Sequence, residues 1–169
     1  MRDEPARREP AYDGGEREQL TDFLDYQRAT VLWKCSGLTD EQARRRHVPS
    51  ELTTIAGLVA HLALVEQYWF GVVLSGHPDP WRERLEQDPD AEFRVALEKP
   101  MSELLAEYEH QCADSREITA KLELEASVAF KGDSSINLRW VLIHMIEETA
   151  RHAGHLDLLR ELTDGLTGE

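Results

Sequence analysis

Apolar side chains recur along this chain at spacings of three and four, which is the period of a helix with one buried face. Leu20, Phe23, Leu24, Gln27, Val31 and Leu32 follow that spacing and predict a first helix from about Glu16 to Ser36, with Gly37 closing it. Leu38 to Arg46 reads as a short helical turn capped by Thr39. Ile55, Leu58, Leu62, Val65, Trp69 and Val72 predict a second long helix over Thr54–Leu74. Gly76-His-Pro-Asp-Pro80 then breaks the chain, and residues 77 to about 99 read as a long irregular loop, a natural lid or rim. Pro100 suits the first position of a third helix, which runs to about Leu124 through Leu104, Tyr108, Cys112, Thr119 and Leu122. After a loop that turns at Lys131-Gly-Asp-Ser-Ser135, Ser135 or Asn137 can cap a fourth helix over Leu138–Thr163, with Gly165 as its stop. No strand signal rivals these segments. The pattern predicts an all-α four-helix bundle with a long crossover connection.

Length and composition narrow this little further. The 169 residues fit one domain, expected over 15–169, after an extended N-terminal arm over 1–14 that is rich in charge, Pro and Gly. A formal charge of −14 argues against nucleic acid or an anionic membrane surface as a partner. No run of 18 apolar residues and no apolar secretion signal stand out, so no membrane span and a cytoplasmic location are expected. Cys35 and Cys112 are isolated, which fits free core thiols. Arg44 to Arg46 form a basic cluster, either a solvated face or an anion contact near the mouth of a site.

The chemistry concentrates on the fourth helix. At about 100° per residue, Glu148 and His152 lie one turn apart on the face that Leu138, Val141, Met145, Leu156 and Leu159 share. His61, between Leu58 and Val65, faces inward on the second helix. A carboxylate and two imidazoles are each costly to bury alone and become inexpensive when they share one cation. His61, Glu148 and His152 are therefore candidate metal ligands, with ordinary hydrogen-bonded core residues as the alternative. Two imidazoles and a carboxylate leave a coordination position open, the arrangement of catalytic zinc sites; nickel, iron or manganese also suit it. His144 and His155 fall at the edge of the stripe, where they can orient a ligand or shuttle a proton. Glu66, Gln67 or Tyr68 could line the same cavity. Trp33, Trp69 and Trp140 read as core, or else as interface.

The run Leu138-Arg-Trp-Val-Leu-Ile-His144-Met-Ile-Glu147-Glu148, followed by Ala150-Arg-His152-Ala-Gly-His155, resembles the DinB/YfiT-like superfamily, in the branch common in high-GC Gram-positive bacteria. Gly57-Leu-Val-Ala-His61-Leu62 and Val65-Glu-Gln-Tyr-Trp-Phe70 are similar to the same branch, as are Phe23-Leu-Asp-Tyr-Gln-Arg-Ala-Thr30 and Trp33-Lys-Cys-Ser-Gly-Leu-Thr-Asp-Glu41. The resemblance spans about residues 12–168. It implies a four-helix bundle with a divalent metal near its middle. Many members carry three histidines there; the mycothiol-dependent maleylpyruvate isomerase relatives carry His, Glu, His, which His61, Glu148 and His152 match. It also implies a low-molecular-weight thiol such as mycothiol as cosubstrate, with a small electrophile as its acceptor. Thr149 and Ala153 stand where a Tyr and an Asn are more usual, which leaves the shape of the substrate pocket open.

Three functions fit these observations. One is a metal-dependent thiol S-transferase or isomerase. Another is a metal hydrolase with Glu147 or His155 as base. The third is a non-catalytic, metal-binding stress-response bundle. A homodimer is compatible with each.

Overall fold

The computed structural model describes residues 7–168, so the expected arm over 1–14 lies partly outside the described residues. Seven helices and one short hairpin follow in the order α1 (Glu16–Cys35), α2 (Asp40–Ala43), α3 (Ile55–Glu66), α4 (Arg82–Gln87), α5 (Ala91–Glu98), α6 (Met101–Lys121), β1 (Ser127–Ala129), β2 (Ser135–Asn137) and α7 (Leu138–Asp164). Helix α3 continues over Gln67–Leu74 as a π-helix.

The helix ends follow from local chemistry. Thr39 accepts from the Gln42 amide while the Gln42 side chain accepts from the Thr39 amide, which closes a capping box. Thr54 caps α3 through the Gly57 amide, and Asn137 caps α7 through the Trp140 amide at 2.9 Å. Gly165 ends α7 in the left-handed region, at φ 79°.

The four long helices form the bundle. Helix α1 lies along α7, and α3 lies along α6 while also meeting α7. Glu16 pairs with Arg139 and Lys34 with Asp157, so α1 and α7 run in the same direction. His61 meets Glu148, whereas Trp69 meets the earlier His144, so α3 and α7 are antiparallel. Parallel neighbours need a long connection. The segment between Ser75 and Pro100 supplies one from α3 to α6. It is not the irregular loop that the sequence predicts, because it folds into α4 and α5. Ala91 and Ala96 of α5 are buried, and α5 packs on α3. The short hairpin β1–β2 is a second departure from the predicted pattern.

Two apolar clusters fill the interior. One joins Leu58, Leu62, Leu104, Tyr108, Leu156 and Leu159. The other joins Leu24, Phe70, Leu138, Val141 and Met145. Each fully buried Leu or Met contributes about 1.5–3 kcal/mol relative to exposure. Met145, Leu156 and Leu159 of the predicted α7 stripe are all buried. Polar groups sit at the level between the two clusters. Arg28 and Glu66 pair there, deep in the bundle. Glu66 therefore does not line a cavity with His61, because its carboxylate is committed to Arg28.

Ile55–Leu74 is long and apolar enough to cross a membrane by length and composition alone. It packs instead against α5, α6 and α7 as the central helix of the bundle. Its π-helical part also changes which residues face inward. The amide of Ser75 reaches back five residues to the Phe70 carbonyl. The wider winding rotates the pattern. Phe70, Gly71 and Leu74 are buried, while Trp69 and Val72 are only half-buried.

Candidate metal centre

His61 projects from the middle of α3. Glu148 and His152 project from α7 one turn apart, as the 3.6-residue period requires. The Nε2 atoms of His61 and His152 both approach the same oxygen, Glu148 Oε1, at 3.1 and 3.2 Å. One potential ligand atom from each residue lies within 4.8 Å of the other two. The two rings meet edge to face, 5.0 Å apart. All three side chains keep a little exposure: 20% for His61, 18% for Glu148 and 14% for His152. The cluster is sheltered and still reachable from solvent.

The far edge of each ring is also engaged. His61 Nδ1 lies 3.4 Å from Glu92 Oε1 on α5. His152 Nδ1 lies 3.2 Å from His155 Nδ1. A neutral imidazole that donates from Nδ1 presents a lone pair at Nε2. Two such lone pairs facing one carboxylate oxygen repel unless protons or a cation lie between them. The donor set, two nitrogens and one oxygen with a side open to water, fits a divalent ion with a free coordination position.

Electrostatics in the cluster are divided. Burial works against a charged His61, but the hydrogen bonds to Glu92 and Glu148 outweigh it and hold the imidazole above its ordinary 6.5. Burial likewise disfavours the Glu148 carboxylate, yet the His61 hydrogen bond and the positive charge of both imidazoles keep it below 4.5. Burial, with the nearby charge of His61, pushes His152 below 6.5. The shifts thus favour the unprotonated forms of Glu148 and His152 and the charged form of His61.

The other predicted residues lie around this core. His155 is exposed and touches His152. His144 stacks on Trp140 at 5.0 Å and meets Trp69 edge-on at 4.8 Å. Glu147 faces solvent and pairs with Arg151. Trp140 is 48% exposed, so it does not belong to the core that the sequence suggested. Of the basic cluster Arg44 to Arg46, the Arg44 guanidinium holds the carbonyls of Ala96 in α5 and of Lys99 just after it. Arg46 pairs with Glu51 on the surface.

Glu92 and Phe93 escaped the sequence reading. Phe93 stacks on His61 at 5.1 Å with the rings 10° from parallel. Gly57 allows this approach. A Cβ there would sit 2.5 Å from the Leu52 carbonyl oxygen and 3.2 Å from the Phe93 ring. A glycine one turn before His61 was the available signal.

A family model described as mycothiol-S-transferase matches residues 19–165. The chain belongs to this family. The match takes in all four bundle helices but for the first three residues of α1, and includes His61, Glu148 and His152. No curated protein sequence matches the chain. Membership of the mycothiol-S-transferase family supports S-transfer chemistry with a small-molecule thiol.

Proposed function

We propose that this mycothiol-S-transferase family member is a metal-dependent enzyme that joins a small cytoplasmic thiol, mycothiol or a close analogue, to an electrophile. His61, Glu148 and His152 hold the ion. The observation that carries this reading is the convergence of two Nε2 atoms on one carboxylate oxygen. A divalent cation held there, zinc foremost, supplies the Lewis acidity that keeps a thiol deprotonated at neutral pH.

The sulfur must come from the substrate, because neither protein thiol is a nucleophile. Cys35 and Cys112 are 1% and 2% exposed, and burial pushes Cys35 up to about 12 and Cys112 higher still. His155 orients His152 through Nδ1, and its exposed ring can pass the thiol proton to water. Trp69, Trp140 and His144, one turn along α7 from Glu148, offer an aromatic wall for the electrophile.

The test follows conjugation of mycothiol to an aryl-halide electrophile by purified protein, first stripped with chelator and then reloaded with zinc. Turnover that disappears on stripping and returns with zinc supports the reading. Conjugation that is indifferent to the metal sinks it, as does ester hydrolysis that needs no thiol.

A further inference from the structure

Glu92 is a buried carboxylate that the triad does not explain. It is 6% exposed, and its Oε2 has no hydrogen-bond partner among the described residues. A carboxylate held this way costs free energy unless it serves a partner. Its one close partner is His61 Nδ1, 3.4 Å from Oε1, at the long end of the hydrogen-bond range.

The geometry separates Glu92 from the ligands. Glu148 faces the Nε2 edge of His61 and Glu92 the Nδ1 edge. The lone-pair directions of the two ring nitrogens diverge, so Glu92 cannot bind the ion that His61 would take at Nε2. What it can do is accept a hydrogen bond from Nδ1–H. That fixes the tautomer whose Nε2 lone pair points at Glu148 and His152. The stacked Phe93 ring, next in sequence, holds the plane of the imidazole. Helix α5 is itself pinned, since Arg44 binds its last carbonyls and Ala91 and Ala96 are buried against the bundle.

We infer that Glu92 is the positioning residue of His61: by accepting the hydrogen bond from Nδ1–H it sets the tautomer and orientation in which His61 takes a divalent ion. The inference rests on the metal reading of the triad.

Zinc alone is the probe. Its affinity is measured by competition with a chromophoric chelator in wild-type protein, Glu92→Ala and Glu92→Gln. The His61 ring proton is followed in the zinc-loaded forms by nitrogen-15 NMR. Losing the acceptor should weaken zinc about 10–100-fold in Glu92→Ala and leave the Nδ1 proton in rapid exchange with water. Glu92→Gln keeps an acceptor oxygen, so it should recover most of the affinity and a protected Nδ1 proton. A merely structural role would lower the melting temperature without moving that resonance. Wild-type affinity in Glu92→Ala overturns the inference. So does Glu92→Gln binding as weakly as Glu92→Ala, which would assign the effect to charge. Wild-type protein that takes up no zinc overturns the metal reading itself, and this one with it.

Discussion

The bundle carries two polar clusters between its apolar halves, and they differ in how completely they are satisfied. In the first, Arg28 gives two parallel hydrogen bonds to Glu66, at 2.7 and 2.6 Å, and a third to Asp25. Arg28 and Glu66 are 3% and 0% exposed. Donors meet acceptors, opposite charges balance, and no side is open. In the second, two imidazoles crowd one carboxylate oxygen and each side chain retains 14–20% exposure. A closed ion pair ties α1 to α3 and has nothing left to bind. An open cluster of two nitrogens and one oxygen is a donor set that suits a cation. The two lie on the same helix, five residues apart at His61 and Glu66, so burial of polar groups alone does not mark a site.

This contrast breaks most sharply when one member of each cluster is removed. Glu148→Ala should abolish stoichiometric zinc uptake and thiol conjugation, while the metal-free variant melts close to the metal-free wild type; calorimetry and metal titration read both. Arg28→Met should do the opposite. Leaving Glu66 buried without its partner should cost about 3–5 kcal/mol in chemical denaturation. Zinc stoichiometry should survive wherever the variant is folded. Adding Glu66→Leu should recover most of that stability, because an apolar pair can replace a closed ion pair. Unimpaired stability in Arg28→Met would mean that the two clusters do not differ as described.

Smaller effects sharpen the picture. Gly57→Ala places a methyl against the Leu52 carbonyl and the Phe93 ring, so it should cost about 1–3 kcal/mol and weaken zinc binding by displacing α5. A stable variant with full affinity would show that the α3–α5 approach is unimportant. The pH dependence of zinc binding should be smaller still. Zinc needs a neutral His61, and the two flanking carboxylates hold its proton on above 6.5. Affinity should therefore begin to fall, as pH is lowered, while the solution is still above 6.5. Glu92→Gln removes one of those carboxylates and should move the fall to lower pH. A pH-independent affinity between 6 and 8, roughly one unit either side of neutrality, would contradict this.

The triad was legible because its signal is local. Glu148 and His152 are four apart on a helix whose apolar stripe, cap at Asn137 and stop at Gly165 all agree. His61 sits at the matching phase of α3. The residues around the triad depend on tertiary packing instead. Helix α5 has eight residues between Pro89 and Pro100; its apolar positions, Ala91, Phe93, Val95, Ala96 and Leu97, are too short a run to mark a helix by period, and it gains its stability by docking on α3. Glu92 and Phe93 were therefore hidden in an apparent loop. The π-helical stretch hid the true partners of Trp69, since its wider winding leaves no mark in composition, and the Glu66–Arg28 pair joins two helices far apart in sequence. The three-residue strands β1 and β2 are too short for an alternating pattern to register.

Elemental analysis of freshly purified protein, with His152→Ala prepared in parallel, tests the central claim most directly. One divalent ion per wild-type chain and none in His152→Ala is the predicted result. No ion in the wild type, or equal metal in both proteins, would contradict it.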